Sequence, residues 1–216
     1  MVYKFSYSEN VSSRPIDCGR EDFERLIDSP LVKRVCDKVA AEPDHKKQGE
    51  IKRRLPGFIF HASFPGGRRV IKDAVPSGLV MLDFDGVEDP AGLWGKIKEQ
   101  ALSMGCLISH LTPSTRGLRL VMPLIKGMDV PGSQAEYARR FGIGTDAVVK
   151  DLARVSFAVP RDYIYHIDWK GLFEGDHEFH ELHESTTNSK FQNEEQKTSK
   201  NKEQKKDVAG GHEGKG

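Results

Sequence analysis

The order of elements in this 216-residue chain predicts an α+β domain, a mixed or antiparallel sheet flanked by helices. Three observations predict it. A lead-in from about 20 to 56 carries apolar residues at helical spacing. A series of short apolar segments rich in β-branched and aromatic residues follows it. Two of those segments, 106–111 and 118–124, are separated only by the turn 113–117, which makes them an antiparallel hairpin.

Residues 1–17 read as an irregular or short-strand lead-in. Phe23, Leu26 and Ile27 have helix spacing over 20–28, and Pro30 ends that helix and opens a second over 31–41. Pro43 and Asp44 restart a third, which runs through the basic segment to Pro56. FIFHASF, 58–64, reads as one strand; Pro65-Gly66-Gly67 is a turn, and 68–72 returns from it. A strand over 78–85 comes next. Asp89-Pro90 caps a helix to about Met104, with Leu93, Ile97 and Leu102 on one side. After the hairpin come a helix over 133–141 and strands over 155–159 and 163–167. From residue 184 the composition turns to Ser, Thr, Asn, Gln, Lys and Glu, too polar to form a core. The expected organisation is one domain over 1–183, its core about 58–170, followed by a disordered tail or linker.

Net charge is +1, so bulk charge says little about partners. Locally, residues 31–70 hold ten Lys or Arg against four acids, which fits a phosphate-facing surface or a set of solvated helix faces. Cys18, Cys36 and Cys106 match no disulfide or zinc spacing and read as reduced thiols. No apolar run reaches membrane-spanning length and the start shows no signal-peptide core. The expectation is a cytoplasmic protein without a membrane partner.

The chemistry concentrates in LVMLDFDGV, 79–87. Side chains alternate in a strand, so Asp83 and Asp85 share a face and Phe84 points into the core. Two carboxylates on one face at a strand's end repel each other unless a cation sits between them, a geometry suited to Mg²⁺ or Mn²⁺. The turn Thr112-Pro113-Ser114-Thr115-Arg116-Gly117, followed by Leu118-Arg119, offers small residues and two arginines to an anion. Further on, Asp146 reads as a helix cap or a third carboxylate ligand. Arg154 is placed to meet a phosphate or to pair with Asp151.

In order, LDFDG, STRGLRLV and TDAVVKDLARVSFAV resemble the motifs of the archaeo-eukaryotic primase (primase-polymerase) superfamily. The nearest likeness is to the VirE N-terminal-type domains of bacterial mobile elements. The similarity spans about 45–170. It implies an RRM-like catalytic core and template-dependent nucleotidyl transfer in replication or mobilisation of a mobile element. Asp83, Asp85 and Asp146 would hold two Mg²⁺ or Mn²⁺ ions. Ser114, Arg116, Gly117 and Arg119 would hold the nucleoside triphosphate, with Arg154 helping to position it. Lys46, Lys47, Lys52, Arg53 and Arg54 would track a single-stranded DNA or RNA template. A helicase is the expected neighbour or fusion partner. The family pattern carries histidine where this chain has Arg119, which binds phosphate but releases no proton. A catalytically impaired nucleotide- or nucleic-acid-binding module of the same fold is therefore the first alternative.

LDFDGV also resembles the first motif of haloacid-dehalogenase-like phosphatases, with Asp83 as nucleophile and Asp85 as general acid/base. A pure interaction module would explain the basic segment and the tail but not two carboxylates sharing a face. His177, His180 and His183 read as a solvated helix end. His61 and His110 read as core or edge histidines, and Trp94 and Trp169 as core or interface anchors.

Overall fold

The computed structural model describes residues 2–143 and 151–175. Asp146, the three-histidine segment and the polar tail lie outside them. The elements in chain order are β1 (Ser6–Ser8), β2 (Ile16–Asp17), α1 (Arg20–Ile27), α2 (Pro30–Ala41), α3 (His45–Lys52), β3 (Gly57–Ile59), β4 (Ala62–Ser63), β5 (Val75–Pro76), β6 (Leu79–Asp85), α4 (Pro90–Ser103), β7 (Ile108–Leu111), β8 (Gly117–Pro123), α5 (Val130–Phe141), β9 (Ser156–Phe157), β10 (Ile164–Ile167) and α6 (Trp169–Phe173).

Helices α3, α4, α5 and α6 start where an aspartate side chain accepts their free amide protons. Asp44 accepts from the Lys46 and Lys47 amides, Asp89 from Gly92 and Asp129 from Gly132. Pro at the first turn of α2, α4 and α5 removes a donor that would lack a partner there.

The fold is α+β with antiparallel sheets flanked by helices. One sheet has the order β10-β7-β8-β6 and a second has β2-β1-β3-β9; β4 and β5 form a two-stranded ribbon. Among the described residues every strand pair is antiparallel. Alternation along β6 divides the interior in two. Val80, Leu82 and Phe84, with Leu118, Leu120 and Met122 of β8, pack against Trp94 and Ile97 of α4 and Tyr137 and Phe141 of α5. Leu79 and Met81, with Ile108 and Val121, face the second sheet and the helices α1 and α2 through Phe23, Phe58, Phe60 and Val35. Asp83 and Asp85 continue this second face past the end of its apolar part.

β6 is an edge strand, and an unpaired edge invites association. Here side chains cover it. The Met81 amide donates to Nε2 of His61 (3.0 Å), and Gln134 of α5 donates to the Met81 carbonyl (2.9 Å). Since Nε2 accepts, His61 carries its proton on Nδ1 and donates it to the Asp151 carbonyl (3.2 Å). His61 is thus a satisfied core histidine, 1% exposed.

Three expectations are corrected. FIFHASF is not one strand: β3 and β4 are separate, because His61 turns inward to reach β6. The return over 68–72 is a loop ending in a short 3₁₀ turn, and the strand that pairs with β4 is Val75–Pro76. The third helix stops at Lys52 rather than Pro56, and the chain from there enters β3. Helices α1, α2 and α4 and the hairpin fall where the sequence places them, within a residue or two; α5 begins three residues earlier than expected, and α6 was not expected at all.

Candidate functional site

Register builds the site. Asp83 stands opposite Arg119, and Arg119 stands opposite His110, so one row crosses β6, β8 and β7 on the face toward the second sheet. Asp85 stands opposite Gly117. A Cβ at Gly117 would lie 3.0 Å from Asp85 Oδ1, the Phe84 carbonyl and the Thr112 methyl, so glycine there leaves the carboxylate its room.

Arg119 ties the two sheets together. One Nη donates to Asp83 Oδ2, and the other donates to Ser156 Oγ of β9 at 3.0 Å. Both members of the ion pair are buried, with side chains 7% and 9% exposed. Arg119 Nε and Asp83 Oδ1 have no partner among the described residues.

Asp85 sits at the rim. The residue is solvent-exposed, yet its carboxylate is partly withdrawn from water. That desolvation, followed by the Asp83 charge, raises its pKa, against the opposing pull of Arg119, Lys52 and Arg154. Lys52, at the end of α3, leans into the same field: burial lowers its pKa while Asp85 and Asp83 oppose the shift. It is half-buried, and its charge acts on the carboxylates of this strand end. Lys46, Lys47, Arg53 and Arg54 are exposed, as a nucleic-acid face requires. Arg154 is exposed, and its charge acts on Asp85; its amide, rather than its guanidinium, contacts Asp151.

The turn between β7 and β8 carries strain. Thr115 has φ of +58°, the only non-glycine among the described residues in the left-handed region. The Thr115 amide donates to the Thr112 carbonyl (2.9 Å), and the Thr112 amide donates to Gly117 (2.9 Å). Ser114 and Thr112 share a hydroxyl contact of 3.2 Å, and Arg116 is exposed at the tip. Thr115→Gly is expected to stabilise the fold by about 1 kcal/mol, about 2–4 °C in thermal midpoint, by removing the Cβ clash. A lower midpoint would mean that the threonine contacts outweigh the strain.

His110, read from sequence as a core or edge histidine, is 4% exposed beside Arg119. Burial and then the Arg119 charge push its pKa down to about 4, so it is a neutral neighbour of the ion pair. Its Nδ1 lies 2.6 Å from the Leu111 carbonyl. The thiols Cys36 and Cys106 are buried, each pushed up to about 12 by burial, and Cys18 is shifted upward for the same reason. These are inert groups rather than nucleophiles or ligands.

The site is therefore a pair of aspartates on one strand end, met by Arg119 from beneath and by the charges of Lys52 and Arg154 at the rim. Asp83 Oδ1 has no partner among the described residues, and with the neighbouring Asp85 carboxylate it supplies the hard oxygen donors that a Mg²⁺ or Mn²⁺ ion would need. A second ion needs a third carboxylate; among the described residues no three His, Cys, Asp or Glu gather into such a group. The phosphatase chemistry fits less well, since a nucleophilic Asp83 must present an oxygen to phosphorus and this one is buried and ion-paired. Among the described residues no helix is long and apolar enough to cross a membrane. Comparison with family models, curated proteins and solved structures finds no match.

Proposed function

We propose that this chain binds a nucleoside triphosphate with a divalent cation at Asp83 and Asp85, as a primase-like domain for template-dependent nucleotidyl transfer on single-stranded DNA. One observation carries the reading. Two carboxylates lie on one face of a strand end, Asp83 with one oxygen unpartnered among the described residues, within the charge fields of Arg119, Lys52 and Arg154, which is the charge pattern a metal–polyphosphate requires. The chemistry such a cation supplies is activation of a 3′-hydroxyl and neutralisation of the leaving pyrophosphate. The protein's own part is to hold and orient. Asp83 and Asp85 fix the cation's position, Lys52 and Arg154 take phosphate oxygens, and the exposed bases of 46–54 follow the template backbone.

Arg119 favours a second reading. Its guanidinium is engaged by Asp83 and Ser156, which suits a domain that binds nucleotide or nucleic acid without making product.

Primer synthesis and extension on single-stranded DNA, with Mn²⁺ and labelled nucleotides, separates the two. The informative variant is Asp85→Asn, because Asp85 is exposed and makes no ion pair among the described residues whose loss would disturb the fold. Product from the wild type, falling to background in Asp85→Asn, is the expected result. Absence of product together with Mn²⁺-dependent nucleotide binding that Asp85→Asn loses would establish the binding module. Absence of both product and nucleotide binding would refute the whole reading.

A further inference from the structure

The Asp83–Arg119 pair is incomplete in a particular way. Asp83 Oδ1 is a buried acceptor without a partner and Arg119 Nε a buried donor without one, among the described residues. Both side chains are more than nine-tenths buried. Buried polar atoms are normally satisfied, so two orphans of opposite kind on one ion pair point to a ligand that satisfies both. A free cation entering here meets the charge of Arg119 while Asp83 is already neutralised. A free phosphate meets two carboxylates. A cation already chelated by a polyphosphate offers positive charge to Asp83 and negative charge to Arg119 at once.

The rim repeats the pattern. The Asp85 carboxylate lies within the fields of Lys52 and Arg154 as well as Arg119, one acid among cations. Ser156 holds the far end of the Arg119 guanidinium at 3.0 Å, so the group stays anchored when its contact with Asp83 is exchanged.

We infer, resting on the metal–nucleotide reading above, that the site takes its cation and its polyphosphate together as one chelate and takes neither well alone. Arg119 moves from Asp83 to a phosphate oxygen as Asp83 turns to the cation. The exchange trades one ion pair for two, breaks no covalent bond and moves no proton. It also gives Arg119 a role in binding that requires no acid/base chemistry.

Equilibrium dialysis of the full chain, with free Mn²⁺ held constant by a buffer and inorganic pyrophosphate as the second probe, tests this. Pyrophosphate is expected to raise Mn²⁺ affinity by about tenfold or more, and Mn²⁺ to raise pyrophosphate affinity by the same factor, since linkage is reciprocal. Arg119→Gln is expected to bind Mn²⁺ without pyrophosphate, because Asp83 is released. The neutral double variant Asp83→Asn/Arg119→Gln, which leaves no charge unpaired, is expected to lose the mutual enhancement. Enhancement that survives in the double variant would mean the chelate is held through its phosphates alone and would overturn the inference. So would independent binding of Mn²⁺ and pyrophosphate by the wild type, although the metal–nucleotide reading would then stand. Binding of neither probe would overturn both.

Discussion

Replacing Asp83 by alanine is expected to destabilise the protein by about 3–5 kcal/mol, because it strands a buried guanidinium without its counter-charge. Arg119 is 6% exposed, and Ser156 is its other hydrogen-bond partner. A hydroxyl cannot neutralise a charge taken out of water, so most of the desolvation penalty falls on the folded state. Urea unfolding reads the loss directly as a lower midpoint. Asp83→Asn/Arg119→Met, which removes both charges at nearly the same volume, is expected to recover most of it. Asp85→Asn is expected to change stability by no more than about 0.5 kcal/mol, as an exposed substitution without a lost partner does. If Asp83→Ala unfolds within about 1 kcal/mol of the wild type, the pair is not the buried tie between the sheets described above. The two aspartates thus have separable duties although they lie one residue apart. Asp83 supports the fold as well as the proposed site, and Asp85 belongs to the proposed site without supporting the fold. An inactivating substitution at Asp83 alone would not distinguish a lost ligand from a lost fold.

The strand alternation that put Asp83 and Asp85 on one face was legible because period two is a local property of the chain. It also sent Phe84 to the opposite side, where it packs with α4 and α5. The hairpin was legible for the same reason, its two strands being separated by a short turn of typical composition. The Arg119 pairing was not. β6 and β8 are joined through α4 and β7, so whether β8 lies beside β6, and in which register, depends on tertiary packing that no local pattern encodes. The coupling of Lys52 to the carboxylates was hidden for a similar reason. Its neighbours 46, 47, 53 and 54 are exposed, and only tertiary packing leaves this one lysine half-buried within reach of their charge. The break in FIFHASF was hidden because both halves are buried, which makes an apolar run look continuous. His61 was the residue to notice. A polar side chain inside such a run needs two partners, and it finds them on β6 and at Asp151 only by interrupting the strand.

Acid should weaken the fold well before its carboxylates titrate, and His110 sets the window. Its pKa is lowered from 6.5 to about 4 by burial and by Arg119, so the folded protein holds it neutral where the unfolded chain already takes up a proton. A depressed histidine pKa contributes stability that is fully present above pH 6.5 and is lost as pH falls toward 4, because the unfolded state binds the extra proton. At about 1.4 kcal/mol per pH unit the loss is about 3 kcal/mol across that window, levelling below it. His61, whose pKa is also lowered by burial, adds in the same direction. Carboxylates held low by arginine act in the same direction but begin further down: Glu136, lowered to about 2 by Arg139 and Arg140, gives up its contribution only below its ordinary value of 4.5. Urea midpoints at pH 7, 5.5 and 4.5, for the wild type and His110→Gln, separate these causes. The variant should start less stable and show a shallower slope over this range. An unchanged slope would assign the acid sensitivity to His61 and leave His110 without influence on the ion pair beside it.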